Sequence, residues 1–470
     1  MPPGFLRLAT RLCFAFAVFA ALALAITSRP AKGLLDFDQP LYFAVAYDLE
    51  RHHVFSNGVF DDVDSTTAAP PPGMFFAPVY PFLVAAVMKL DPRFGDMVAC
   101  AVEADAGKRE LASCENHAMP MHLLHALFLC LGVLAIGVAA EAMFADGRLF
   151  YAAATLAALA AAAEADTFAF IMTESVWFCL YGLTMLAFVL GLKTWRKRYF
   201  LLAGLALGVL CLTRASFLVL APVLLGIIFG YARWLVPPPR ESWMRRAAIL
   251  CLAFLVLIVP WVVRNDLSVG KLGFSEEYGS AALVERFAFN QMTGREFGLA
   301  FPYCVPTIGP TLVGRMFGAD AMRRFEWDQP GSFLDLGRSR RFALIESHGR
   351  LDSIIGSVAR DEMRQNWWRH LATMVPLAWC GLWAGGFVGW MIVPLFAWAC
   401  ARAVRRGKVL FVLYALPAFV MVGLHAAIAS HYSRYNLGLI GPFSAGTAWV
   451  MVSGRRQTTA LLTAESTSSG

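Results

Sequence analysis

Lys193-Thr194-Trp195-Arg196-Lys197-Arg198 is a short basic stretch set between two apolar runs, 168–192 and 199–213. Cations this dense cannot rest in hydrocarbon, where each Lys or Arg costs about 2.5–3.5 kcal/mol, so the chain turns here between two membrane crossings. Working outward, stretches of about 20 apolar residues, the length a bilayer demands, recur along the chain. They give ten expected spans: 8–28, 121–144, 148–165, 168–192, 199–213, 215–232, 247–263, 376–400, 409–429 and 435–453. Further basic loops lie at Arg233–Arg246, with Pro237-Pro238-Pro239 inside, and at Arg402-Ala403-Val404-Arg405-Arg406-Gly407-Lys408. Arg7 and Arg11 precede the first span, and Arg455 and Arg456 follow the last. Ten crossings place all of these on one face, which the positive-inside rule makes the cytoplasm. One missed helix would scatter them over both faces.

The composition agrees. Hydrophobic residues make up 58% of the 470 and charged residues 16%, against about 25% charged in a soluble chain. Mean hydropathy is +0.58. The net charge of +7 reads as an orientation signal and calls for no nucleic-acid partner. The expected fold class is an all-α polytopic membrane protein of about ten transmembrane helices, with two large extracytoplasmic loops at 29–120 and 264–375. Residues 1–263 form the first membrane module, 264–375 an extracytoplasmic region, 376–453 the last helices, and 454–470 a cytoplasmic tail. The first apolar run lacks a small-residue cleavage site, so a retained span is expected in place of a secretory signal. The tail from Gln457, rich in Ser and Thr, is expected to be disordered.

Most of the ten cysteines fall inside spans, where they act as small hydrophobes. Cys100 and Cys114 share the first outside loop, where an oxidising exterior allows a disulfide, and Cys304 is left over outside. No repeat, zinc-type CxxC pair or Walker-type glycine loop occurs. His52, His53 and His431 have no spacing suited to zinc, and neighbouring helix positions point apart, so no metal and no cofactor are expected.

Just after the first span comes Asp36-Phe37-Asp38-Gln39-Pro40-Leu41-Tyr42. Pro40 suits a helix's first turn. Tyr42, Val45, Ala46 and Leu49 then share one face, with Asp48, Glu50 and Arg51 away from it, so a helix resting on the membrane surface is expected. Asp38 at its start is open to two readings, an N-cap or a functional carboxylate. Pro70-Pro71-Pro72-Gly73-Met74-Phe75-Phe76-Ala77-Pro78-Val79-Tyr80-Pro81 is an aromatic, proline-stiffened entry to a second helix. It suits either a groove for an acyl or prenyl chain or an ordinary interfacial loop.

Asp38-x-x-x-Tyr42-x-x-x-Ala46-x-x-Leu49 resembles the first-loop motif of GT-C class membrane glycosyltransferases. The nearest subset is the bacterial relatives of protein O-mannosyltransferases and of lipid A aminoarabinose or galacturonic acid transferases. Four segments in the expected order are similar too: Pro78-Val79-Tyr80-Pro81, Thr173-Glu174-Ser175, Ala203-Gly204-Leu205-Ala206-Leu207-Gly208 with Leu212-Thr213-Arg214, and Pro260-Trp261-Val262-Val263-Arg264-Asn265. Ser433-Arg434-Tyr435 resembles a final Arg-Tyr pair. The likeness covers roughly residues 1–265 well and the last two spans loosely. Many relatives carry Asp-Glu where this chain has Asp38-Gln39, and a basic residue where it has Phe76-Ala77.

The resemblance implies transfer of a sugar from a polyprenyl-phosphate donor to an acceptor, with inversion, at the outer face of a bacterial inner membrane. The acceptor, whether lipid A, another glycan or a protein, is not named by these residues. Such chemistry needs a base for the acceptor proton and cations for the leaving phosphate. Asp38 is the expected base. Asp36 is the neighbour expected to balance the helix dipole's pull on it, since adjacent carboxylates oppose one another's ionisation. Glu174, expected two turns inside its span, either positions the acceptor or the base or forms a structural ion pair. Glu164 and Asp166 read as solvated loop charges. Arg214, Arg264 and Arg434 end spans on the outer face, where they either converge on a phosphate or snorkel to headgroups. Tyr42 and Tyr80 complete the expected substrate-binding set. In the second loop Trp327, Trp367 and Trp368 could stack on sugars, and the last two could equally anchor at the interface. The competing functions are a transporter or flippase of lipid-linked sugars, which the absence of internal repeats disfavours, and an inactive scaffold of the same fold.

Overall fold

Apolar runs that must satisfy every backbone amide within lipid have one local solution, the α-helix. A computed structural model bears this out: the described residues are 3–453, apart from 31, 62, 236–239, 277–278, 328, 350 and 430–431, and no strand occurs among them. The triple proline, His431, Arg455, Arg456 and the Ser/Thr-rich tail thus lie outside the described residues. The chain opens with α1 (Pro3–Thr27), α2 (Gln39–His52), α3 (Val79–Leu90), α4 (Pro92–Asp105) and α5 (Met119–Phe144). It continues through α6 (Arg148–Ala163), α7 (Ala165–Phe168), α8 (Glu174–Thr194), α9 (Lys197–Thr213), α10 (Leu220–Gly230) and α11 (Arg240–Val269). Then come α12 (Gly279–Phe287), α13 (Gly294–Tyr303), α14 (Gly309–Phe317), α15 (Ala319–Arg323), α16 (Phe333–His348) and α17 (Leu351–Gly381). The last are α18 (Gly389–Arg405), α19 (Val409–Ile428) and α20 (440–453).

Seven helical stretches among the described residues are long and apolar enough to cross a membrane: Phe5–Thr27, Met119–Phe144, Glu174–Thr194, Ala215–Leu235, Ser242–Val269, Gly386–Arg405 and Val409–Ile428. The protein is a polytopic, all-α membrane protein. The three other expected spans are helical but shorter, α6 with 16 residues, α9 with 17, and α20. At 1.5 Å per residue α6 and α9 reach only about 25 Å. Two expected boundaries are corrected. The span placed at 376–400 is broken over 382–388, because Gly385 and Gly386 take positive φ, and helix resumes only at Gly389. The span placed at 168–192 begins at Glu174, after a turn over 169–173.

Chain contacts divide the protein into two units. The first comprises Met1–Glu276, Leu395–Tyr414 and the chain from Gly441 onward; the second comprises Glu277–Pro394 and Ala415–Ile440. In the first, α5 packs on α8 and α9 on α11. Gly204 and Gly208, four residues apart on α9, let α11 come very close: a Cβ on Gly204 would lie 2.3 Å from the Leu250 carbonyl oxygen. This is the small-xxx-small contact on which membrane helices rely. Residues 436–450 are buried without interruption, and in α20 Trp449 stacks on Phe144 at 4.7 Å.

Segment 29–120 builds its own packed layer. Phe43, Ala46, Tyr80, Val84, Phe94 and Val98 from α2, α3 and α4 close over Met121 of α5 and Val176 of α8. A disulfide joins Cys100 of α4 to Cys114. Helix α2 is therefore not a surface helix. Asp48, expected to face away, is 0% exposed and accepts a hydrogen bond from Ser56 Oγ at 2.5 Å, because α4 and the following turn cover its second face. Burial raises the Asp48 carboxyl above its usual range, against the lowering effect of the Ser56 bond.

In the second unit Cys304, left over in the sequence reading, pairs with Cys380 at the end of α17. The 0%-exposed Arg286 donates to the Ala426 and His370 carbonyls, Asn290 Oδ1 and Thr373 Oγ1, and so ties α12 to α17 and α19. Burial brings this guanidinium down to about 9, still charged at neutral pH.

Candidate active site at the first loop

The turn before α2 is built tightly. Gly33 N–H donates to Asp36 Oδ2 at 2.8 Å, and a Cβ on Gly33 would sit only 2.8 Å from that carboxylate. Phe37 takes a left-handed φ of 54°, which reverses the chain and delivers Asp38 to the N-cap position. Asp38 makes no side-chain cap bond, so the capping reading does not describe its carboxylate. It is half-buried, whereas Asp36 is exposed and its carboxylate closes the turn.

Gln39 follows, 2% exposed. Its Nε2 donates to the carbonyls of Gly33 at 2.8 Å and Asp36 at 3.3 Å, while its Oε1 accepts from the Ile171 N–H at 2.8 Å. Ile171 belongs to the turn that leads into α8, so the Asp38 turn and the Glu174 turn are joined directly. One helical turn into α2, Tyr42 meets the Tyr80 ring edge-on at 4.9 Å and Phe76 at 5.1 Å. Tyr80 is 0% exposed, and its hydroxyl lies 3.1 Å from His125 Nε2. His125 Nδ1 lies 3.1 Å from the Phe168 carbonyl, which can only accept; Nδ1 therefore carries the proton and Nε2 accepts from Tyr80. His122, one turn earlier, holds the Ala169 carbonyl at 2.9 Å. These two histidines escaped the sequence reading; the signal was their i, i+3 spacing on an otherwise apolar helix, which puts both on one face. Burial keeps the Tyr80 hydroxyl well above its ordinary range, with Tyr42 and the Glu174 carboxylate adding to the effect.

Glu174 is the first residue of α8, not two turns inside it, since the 169–173 turn delays the helix. There the unpaired amides and the helix dipole favour a negative charge. Its side chain is 5% exposed, with Oε1 3.4 Å from Arg214 Nη1 and Oε2 without a hydrogen-bond partner among the described residues. Arg214, just past the end of α9, keeps 22% of its side chain exposed. Asp166, read as a solvated charge, pairs with Arg29 at 3.2 Å and Lys32 at 3.0 Å.

Arg264 is held elsewhere in the first unit. Its guanidinium donates to the carbonyls of Gly73 and, at 3.0 Å, Phe55, and lies over the Trp261 ring at 5.1 Å. Asn265 Nδ2 donates to the Gly273 and Phe274 carbonyls, and Trp261 Nε1 to Phe274. The Pro-Trp-x-x-Arg-Asn segment thus clamps the proline-rich entry. The structure brings Asp38, Tyr42, Tyr80, Glu174 and Arg214 into one neighbourhood and places Arg264 on the clamp.

Arg434 belongs to the second unit, where it lies over Tyr435 at 5.3 Å and Tyr432 at 5.7 Å. Trp327 there has Arg338 over its face at 4.4 Å and Tyr432 against it at 4.6 Å, so packing already engages the ring. Trp367 and Trp368 are 58% and 54% exposed. His52 Nε2 lies 2.7 Å from the Ser65 carbonyl, and His53 caps α2 with a left-handed φ. Among the described residues no three His, Cys, Asp or Glu side chains group to hold a metal ion.

Fold and site together define a polytopic helical membrane protein with a carboxylate-bearing loop packed on its bundle. No protein-family model matches the chain, and no curated protein is similar to it. Among solved structures it is similar to the oligosaccharyltransferase of Archaeoglobus fulgidus in the apo form, at 12% identity and a TM-score of 0.49. That match covers 96% of this chain and 51% of the other, so the chain spans about half the length of that protein.

Proposed function

We propose that the chain is a membrane glycosyltransferase of the GT-C class, which moves a sugar from a polyprenyl-phosphate donor to an envelope acceptor. The observation that carries this reading is the joining of the Asp38 turn to the Glu174–Arg214 pair through Gln39 and Ile171. A half-buried carboxylate at a helix start, a buried second acid and a part-exposed guanidinium are what the reaction requires. The acceptor oxygen attacks the anomeric carbon, and Asp38 takes its proton. The bond from that carbon to the phosphate oxygen breaks, and polyprenyl phosphate leaves with the electron pair. Arg214, held by Glu174, meets the charge that develops on the phosphate.

The four disulfide cysteines support an outward-facing site. Cys100, Cys114 and Cys304 lie in the two expected outside loops and Cys380 just beyond the second, where an oxidising exterior maintains such bonds. Five of the six free cysteines lie in helices long and apolar enough to cross a membrane, and the sixth, Cys211, is buried in α9. The reading places both chain ends in the cytoplasm and the enzyme in a bacterial inner membrane, with lipid A, another glycan or a protein as acceptor. The test compares lipid-linked sugars and envelope glycans in cells making wild type or Asp38→Asn at matched membrane abundance. Loss of one sugar from a glycan, with accumulation of its polyprenyl-phosphate donor, is expected from Asp38→Asn. Unchanged glycans would overturn the reading.

A further inference from the structure

We infer that Gln39 is the positioning residue of this site, setting the Asp38 turn against the Glu174 turn by using both halves of its side-chain amide. The inference rests on the transferase reading and adds a residue to it. At this position the protein needs two donors and one acceptor on a single buried group. Nε2 supplies both N–H bonds, to Gly33 O and Asp36 O, and Oε1 takes the Ile171 N–H. With 2% exposure no solvent can substitute for a missing partner. Gly33 and Asp36 lie just before the left-handed Phe37 that aims Asp38, so Gln39, the residue after the base, ties down the chain that leads into it. Ile171 lies three residues before Glu174, so the same amide fixes the second acid.

An amide is the only ordinary side chain that meets this demand at neutral pH. Asn is one methylene too short to span the three partners. Ionised Glu keeps the acceptor for Ile171 but sets a carboxylate against two carbonyl oxygens. An ionised glutamate, as in the Asp-Glu pair that this position resembles in relatives, could make only the Ile171 contact of the three. Chains with glutamate there must hold the turn differently, and Gln39 is a requirement of this loop.

The experiment uses membrane vesicles from cells making the full chain, charged with their own lipid-linked sugars. Release of polyprenyl phosphate is followed by mass spectrometry from about pH 5 to about pH 8. Gln39→Glu is expected to fall about a hundredfold at neutral pH, the usual cost of misplacing a reacting group by about 1 Å. It is expected to recover in part as pH falls, because a protonated carboxyl regains one donor, and burial against carbonyls favours that form. Gln39→Met is expected to stay low at every pH. Asp36 and Asp38 on the first turn, and His122, Glu174 and Arg214 on or against the second, are the same in wild type and variants, so a difference between profiles belongs to the side chain at position 39. Amide hydrogen exchange supplies a readout independent of transfer. Exchange over 169–173 is expected to quicken in Gln39→Met and stay slow in Gln39→Glu, which keeps its acceptor. Wild-type rates and profile for Gln39→Glu, beside an inactive Asp38→Asn, overturn the role of Gln39 alone. Unchanged exchange in Gln39→Met overturns it as well, even if Gln39→Glu fails to accumulate. Full transfer by Asp38→Asn overturns the base assignment on which that role rests.

Discussion

Replacing Gly204 with alanine adds one methyl group at the tightest helix contact in the first unit. A Cβ there would lie 2.3 Å from Leu250 O and 2.8 Å from Ala253 Cβ, where ordinary contact begins at 3.4 Å. The obstacle is backbone, which cannot swing aside, so α11 must retreat by about 1 Å. A gap of that size forfeits a quarter to a half of the attraction of each atom pair it opens, and overpacking of this kind costs about 1–3 kcal/mol. Gly226, in the middle of α10, is the matched control, since nothing lies within 4 Å of its added Cβ. Alanine there is expected to stabilise by about 0.5–1 kcal/mol through backbone entropy alone. The two substitutions, identical on paper, should therefore move the unfolding midpoint of the detergent-solubilised protein in opposite directions, about 1.5–4 kcal/mol apart. Because α9 ends beside Arg214, Gly204→Ala should also lower transfer activity. Equal midpoints for the two variants would refute the close α9–α11 approach.

Asp48→Asn is expected to raise stability at neutral pH. Burial raises the Asp48 carboxyl, so its contribution is fully present below about pH 3.9 and is lost as pH rises through the folded value. The asparagine never ionises and can still accept from Ser56, so unfolding midpoints measured against pH should flatten in the variant. Arg264→Lys trades a planar fork for a point charge and should lose one of the carbonyl bonds to Gly73 and Phe55, each worth about 1.5–3 kcal/mol. Faster proteolysis within residues 55–74 would show it, and an unchanged digestion pattern would count against the clamp. Serine at Cys304 opens a loop of 76 residues and should cost about 4.5 kcal/mol, against about 3 kcal/mol for Cys100 with its separation of 14. Thermal unfolding with and without reductant should rank the two in that order.

The helical membrane class was legible because hydropathy is a local property: each apolar run carries its own signal, and each of the ten expected segments holds a helix, though 376–400 is interrupted and 168–192 starts late. What failed depended on partners distant in sequence. The period of α2 marks one apolar face, but nothing in 39–52 announces that α4 will cover Asp48 on the other. Cys304 finds Cys380 across a separation no spacing rule reaches. The start of α8 was misplaced because the residues 169–173 are as apolar as the helix they delay, and the turn is held from outside by His122 and by Gln39 through Ile171. Asp38 stood out by its place after a span, whereas Gln39 looked like a mere departure from a pattern. Its three partners lie between 3 and 132 residues away.

The burial of α20 has a bearing on how the protein comes to be made. Ile136 of α5, Phe144, Phe396 and Phe411 lie around α20, whose first turn contains Gly441 and whose middle contains Gly446, where an added Cβ would meet the Phe411 ring at 2.8 Å. All those neighbours leave the ribosome before it does. The growing chain must keep an apolar slot open among helices already in the membrane, and the last of the described helices then closes it like a keystone. A stop codon shortly before residue 440 would therefore leave the bundle gaping at its centre. Membrane quality control should clear such a product even though most of its helices have been made.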